Sequence, residues 1–244
     1  MITQKVVAII PARLESTRLN KKLLLDLKGK PVIQRVYDNI NSFGLFSDIY
    51  VATDSSEIIE FCDNNHIKHI QTSSAHQSGT SRIAEASKEI NADIIVNVQG
   101  DEPFISNESL KDLISALNQN TEALIATLIY ASNNEKEAND PNIVKVVKDL
   151  NNYALYFSRL PIPFNRANPQ NSIWFHHIGV YAYKQEFLSN YHSLKKCSLE
   201  ETEKLEQLSF LTNGYKIMLV ETFEKTLGID TEDDLKKAIE ILSI

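Results

Sequence analysis

Short runs of β-branched and aliphatic residues at 6–10, 49–52 and 94–98, with a shorter one at 67–70, punctuate the first half of the chain. Continuous apolar runs of this length read as strands buried on both faces, not as strands with one wet side. The segments between them carry a helical period. Over 31–43, Val32, Ile33, Val36, Tyr37, Ile40 and Phe43 fall on one face, with Pro31 in the first turn and Gly44 just past the end. Asp54 or Ser55 can cap a helix running to about Asn64, 81–90 is helical again, and Ser106 can cap a helix to about Asn118. Strands alternating with helices predict an α/β fold whose mostly parallel sheet has helices on both faces.

The second half is mixed. Runs at 123–129, 144–148, 154–158 and 178–183 read as strands with little helix between them, so part of the sheet is expected to be antiparallel. An amphipathic helix is expected over 199–211, a strand over 216–221, and a last helix over 231–241 with Thr231 and Asp234 in capping-box spacing. The Pro- and Asn-rich segment 161–172 reads as a loop. There is no internal repeat, low-complexity tract or linker, and 244 residues suffice for one large domain or a domain with a small appendage.

With 32 acidic against 25 basic residues the net charge is −7, which argues against broad binding to nucleic acid, so an anionic ligand must be held by a local basic cluster. Cys62 and Cys197 sit in no CxxC spacing and read as free thiols of a reducing compartment. The apolar run near the amino end is too short for a signal-peptide core or a membrane span. The expectation is a cytoplasmic protein with neither nucleic acid nor membrane as partner.

The basic cluster is at hand. Arg13, Arg18, Lys21 and Lys22 follow the first strand, in a segment with neither GxxxxGK[ST] nor GxGxxG. Ligands of open α/β sheets bind beyond the carboxyl ends of the strands, where Arg supplies forked donors to phosphate and Lys a point charge. Asp101 follows the strand at 94–98 directly, and Asp230 precedes the last helix. Each reading has a plain alternative: surface charge for the basic loop, a turn residue for Asp101, a helix cap for Asp230. Together they supply what magnesium on a triphosphate uses, one or two carboxylates plus phosphate oxygens. His176 and His177, adjacent on a strand, point to opposite faces and cannot share one ion, and His66, His69 and His76 show no ligand spacing. Glu200 and Glu203 read as a solvated helix face.

The strings IIPARLESTRL, YVATD, HQSGTSR, NVQGDEPFI, NIVKVV, YALYFSR, HIGVYAY, LEETEKLEQL and LGIDTEDDL, in this order, resemble the 3-deoxy-manno-octulosonate (Kdo) cytidylyltransferases over nearly the whole chain. The resemblance implies a Rossmann-like nucleotidyltransferase fold with a small dimerisation subdomain: a single domain over 1–244, with a dimerisation and sugar-site insertion at about 130–215. It implies transfer of CMP from CTP to the sugar's anomeric hydroxyl with release of pyrophosphate, dependence on Mg2+, a role in lipopolysaccharide biosynthesis, and a homodimer. By that likeness Pro11, Ala12, Arg13, Arg18, Lys22, Ser78, Gly79 and Arg82 would surround the nucleotide. Arg13, Lys22, Asp101 and Asp230 would be catalytic, and the two aspartates would hold the metal. Gln99, Arg159, His177, Tyr181, Glu206 and Gln207 would line the sugar-acid site.

Two departures stand out. The family usually has PGKP after STRL, where this chain has Asn20, Lys21, Lys22 and Leu23. It usually has an acidic residue after SGT, where this chain has Ser81. A related acidic sugar, such as the 8-amino form of Kdo, is therefore an alternative substrate, and a CTP-binding regulatory module is the reading without catalysis.

Overall fold

The structure, a computed structural model, describes residues 4–14, 19–167 and 173–243. The chain forms two compact units, Met1–Lys111 with Thr226–Ile244, and Asp112–Lys225. The first begins with β1 (Val6–Ala12), α1 (Val32–Ser42), β2 (Asp48–Thr53), α2 (Ser56–Asn64), β3 (His69–Gln71), α3 (Gly79–Ala86) and β4 (Ile94–Asn97). The chain passes from the first unit to the second within α4 (Asn107–Gln119). There follow β5 (Ile125–Ser132), α5 (Glu135–Ala138), β6 (Lys145–Lys148), β7 (Ala154–Ser158), β8 (Trp174–Lys184), α6 (Gln185–Asn190), α7 (Ser198–Glu203), α8 (Gln207–Thr212) and β9 (Ile217–Thr222). The closing helix α9 (Glu232–Ile241) belongs to the first unit.

In the first unit the strands run β3-β2-β1-β4, each neighbouring pair parallel. Val7 through Ile10 of β1 and Ile95 and Val96 of β4 are wholly buried, as strands covered on both faces must be. α2 starts where the Ser55 hydroxyl accepts from Ile58 N, and α4 where Ser106 Oγ accepts from Ser109 N. α3 begins at Gly79, two residues before the expected start at 81. The reason is a reciprocal capping box: Ser78 Oγ accepts from Ser81 N at 3.1 Å and Ser81 Oγ from Ser78 N at 3.4 Å.

α9 is capped by Thr231 and Asp234, as their spacing predicts. It lays Ala238, with Leu235 and Ile239, onto Leu19, Leu27, Val32 and Ile229. This packing fixes the carboxyl end of the chain beside the loop that follows β1.

In the second unit β5 pairs with β8 antiparallel and with β9 parallel, while β6 pairs antiparallel with both β7 and β8. β8 is longer than the expected 178–183 because its first residues pair with the end of β5 and with β6. The β5–β8 register shifts between Thr127 and Leu128, where the single proton of Thr127 Oγ1 is within reach of the Ile178 and Val180 carbonyls, at 3.1 and 2.9 Å. The expected helix over 199–211 is broken. Lys204 takes the left-handed conformation at φ 54° and separates α7 from α8. Among the described residues, no helix is long and apolar enough to cross a membrane.

Candidate active site

β1 and β4 end side by side, and two tight approaches bring further groups to their carboxyl ends. A Cβ at Gly100 would meet Leu23 methyls at 3.2 Å and the Pro11 carbonyl at 3.4 Å, so glycine there lets the short 3-10 turn Lys22–Leu24 pack closely on the segment after β4. A Cβ at Gly79 would lie 3.4 Å from Pro11 and 3.7 Å from the Gln99 amide. Pro11, Gly79 and Gln99 are therefore neighbours, with the amino end of α3 facing the end of β1.

The charges converge here. Lys22 Nζ lies 2.5 Å from Asp101 Oδ2 and 2.8 Å from Asp230 Oδ1. A backbone bond of 2.9 Å from Ile229 N to Asp101 O holds the two aspartate loops together. Burial works against the ammonium of Lys22, but the charge and hydrogen bond of Asp101, helped by Asp230, outweigh it and raise its pKa. Lys21, in the glycine slot of the family pattern, is in the left-handed region at φ 49° and pairs with Glu57 at 2.7 Å. A left-handed lysine carries about 1 kcal/mol of backbone strain that glycine would not.

Arg13 donates through Nη2 to the His76 carbonyl, and the His76 ring meets the Glu85 carboxylate. That contact, above all its hydrogen bond, holds Glu85 below the usual carboxylate range. Arg82, expected beside the nucleotide, is 1 % exposed, pairs with Asp54 at 2.7 Å and donates to Thr72 Oγ1, so its guanidinium braces the interior. Arg18 lies outside the described residues.

Arg159, His177, Tyr181, Glu206 and Gln207 all belong to the second unit. His177 touches Phe157 and Tyr181 edge-on, at ring-centroid distances of 5.0 and 5.4 Å, and its Nε2 lies 3.1 Å from Thr127 Oγ1. Burial first, then the nearby Glu206 carboxylate, pushes the Tyr181 hydroxyl far up. Glu206 also accepts from the Tyr191 hydroxyl. Arg159 donates to the carbonyls of Pro141 at 2.7 Å, Glu203 at 2.6 Å and, weakly, Lys204 at 3.4 Å. These bonds explain the broken helix, since a left-handed Lys204 delivers successive carbonyls to one guanidinium. They also correct the expectation of a solvated face. Glu203 accepts from Ser158 Oγ and Arg159 N, and Glu200 accepts from Ser209 Oγ.

Burial, then the charge of His176, lowers the His177 pKa to about 3 from the ordinary 6.5. The unfolded chain takes up this proton below pH 6.5 and the folded chain does not until about pH 3. Stability is therefore complete above pH 6.5 and is lost as pH falls toward 3, with a slope of at most about 1.4 kcal/mol per pH unit. Between pH 7 and pH 5, the native chain should lose roughly 1–2 kcal/mol more than His177→Gln in denaturant titrations. Equal losses would show that His177 is not buried neutral.

Sequence reasoning passed over Glu102. Its carboxyl is shielded from solvent, hydrogen-bonded to Thr226, and Oε1 would be 3.0 Å from a Cβ at Gly228. Burial, then the charge of Asp101, pushes its pKa up to about 8. Its place beside Asp101 in NVQGDEPFI was visible, but its burial was not.

The profile of the cytidylyltransferase family matches residues 7–217. The 3-deoxy-manno-octulosonate cytidylyltransferase of Flavobacterium johnsoniae is 45% identical over 236 residues, 96% of this chain and 97% of the relative. That of Chloroherpeton thalassium is 44% identical over 241 residues, 98% of each. A solved CMP:2-keto-3-deoxy-manno-octonic acid synthetase in complex with CTP superimposes with a TM-score of 0.92 at 37% identity, covering 98% of each chain. The 4-diphosphocytidyl-2C-methyl-D-erythritol synthase of Anaerococcus prevotii, at 16% identity and TM-score 0.64, shares the fold alone. With a family profile across most of its length and full-length relatives at this identity, the chain belongs to the 3-deoxy-manno-octulosonate cytidylyltransferases of the cytidylyltransferase family.

Proposed function

We propose that this enzyme transfers CMP from CTP to the anomeric hydroxyl of 3-deoxy-D-manno-octulosonate for lipopolysaccharide biosynthesis. The new bond joins the anomeric oxygen to the α-phosphorus, the α–β phosphoanhydride bond breaks, and pyrophosphate leaves as the hydroxyl proton passes to solvent. The observation that carries this reading is the ammonium of Lys22 seated between Asp101 and Asp230 at the carboxyl ends of β1 and β4. Two carboxylates already arranged around one cationic group suit a hard divalent cation with oxygen ligands. Asp101 and Asp230 would hold Mg2+, which when bound offsets the negative charge of the triphosphate.

The residues of the first unit act by positioning and by charge, as nucleotidyl transfer requires. Pro11, Ala12, Arg13, Ser78 and Gly79 are assigned to the cytidine end. Arg18 and Lys22 are assigned to the phosphates. Arg82 acts from behind, steadying α3 through Asp54 and Thr72. In the second unit Arg159 pairs with the sugar's carboxylate: three of its five N–H groups go to carbonyls within the protein, which leaves two for a ligand. His177, Tyr181, Glu206 and Gln207 are assigned to the sugar's hydroxyls.

The same reading places the enzyme in the cytoplasm, supported by two free cysteines. It makes the enzyme a homodimer through about 130–215, supported by the exposed Leu150, Leu155, Leu160, Phe164 and Ile173.

A pyrophosphate-release screen tests the function. Release should require CTP, Kdo and Mg2+ together and should exceed that with UTP or with sialic acid. Faster turnover with 8-amino-Kdo would reassign the sugar, and CTP binding without turnover would make the chain a regulatory module.

A further inference from the structure

Lys145 lies near the start of β6, wholly buried, where an aliphatic side chain would be the ordinary choice. A buried ammonium is tolerated only when its protons are all donated, and here they are. Nζ donates to the carbonyls of Asp140 at 3.0 Å, Ile143 at 2.7 Å, and Arg159. These three acceptors share a target. Asp140 and Ile143 flank Pro141, whose carbonyl receives Arg159 Nη1, and the third acceptor is the backbone of Arg159 itself. Lys145 thus ties the main chain of Arg159 to the turn that steers its guanidinium. The opposite side of the same arginine is held by Glu203, through the backbone N–H of Arg159 and through Nε. Register places Lys145 opposite Ser158 on β7, one residue before Arg159, so its ammonium reaches the chain just past β7 as well as the turn before β6.

We infer that Lys145 is a positioning residue for the substrate's carboxylate: it fixes the orientation of Arg159 from the interior and never touches the sugar acid. The inference rests on the reading of Arg159 as the carboxylate's partner. A guanidinium binds a carboxylate with two parallel bonds only when its plane is held, and a modest misplacement weakens that pairing without removing the charge.

Steady-state kinetics on the full chain, with CTP and Kdo varied separately, test it. Lys145→Met keeps the length of the side chain and removes its donors; Lys145→Gln retains two donors and is the second variant if the first does not fold. Either should raise the KM for Kdo by roughly tenfold, with the KM for CTP changed less than about twofold. Arg159→Ala should raise the KM for Kdo at least as much, and the double variant should be no worse than Arg159→Ala alone. If Arg159→Ala leaves the KM for Kdo unchanged, the carboxylate reading itself fails. If Arg159→Ala raises it while the Lys145 variants do not, or if the two effects multiply in the double variant, the positioning role fails. A Lys145 variant that raises both KM values and lowers kcat in parallel would mark a merely structural lysine and overturn the inference as well.

Discussion

Asp101→Asn is expected to lower kcat by about 10³-fold while moving the midpoint of thermal unfolding by only a few degrees. Asparagine keeps the shape of the side chain and leaves the bond from Ile229 N to the Asp101 carbonyl in place, so the two aspartate loops stay together. The residue sits in a turn outside the apolar core, half-buried, and Lys22 retains Asp230 as a partner. What is lost is a full negative charge where a divalent cation and a triphosphate must be held, and that loss is felt in the transition state far more than in the fold. Turnover above a tenth of the native value at saturating Mg2+ would remove Asp101 from the metal site.

Lys22→Met should separate the two tasks of that lysine. In the absence of divalent cations the variant leaves Asp101 and Asp230 facing one another with no cation between them. The side chain of Lys22 is only 11% exposed, but those of the aspartates are 26% and 43% exposed, so solvent moderates the penalty. A loss of about 2 kcal/mol is expected. Added Mg2+ should then raise the unfolding midpoint of Lys22→Met more than that of the native chain, because the ion no longer competes with an ammonium for the same carboxylates. Turnover should nevertheless fall by about 10²-fold, since the phosphates lose a point charge that Mg2+ does not replace. If Mg2+ stabilises both proteins equally, the lysine and the divalent cation do not share these carboxylates.

The layout of the first unit was largely legible because its signals are local and strong. Val6 to Ile10 can only be a covered strand, and Ser55, Ser106 and Thr231 start helices through bonds that close within three residues. Lys22, Asp101 and Asp230 were marked by a pattern resembling known relatives, and packing of α9 onto the loop after β1 brings the last of them in. What escaped depends on distant partners. No glycine or asparagine announces the left-handed turn at Lys204; it is held by Arg159, a residue 45 positions away in sequence. Arg82 was placed by the nucleotide through family likeness alone, and only the fold supplies Asp54 and Thr72 to bury it against. Lys145 interrupts an apolar strand pattern, a signal that was present, but its meaning lies in carbonyls contributed by a turn and by the residue just past β7.

The account stands on Asp101, Asp230 and Lys22 forming one cation–triphosphate site, and titration calorimetry of CTP with and without Mg2+ addresses it most directly. In the native chain Mg2+ should tighten CTP binding by at least about tenfold, and in Asp101→Asn, Asp230→Asn and the double variant that enhancement should vanish, the double being no worse than either single. Undiminished tightening by Mg2+ in the double variant would contradict the account.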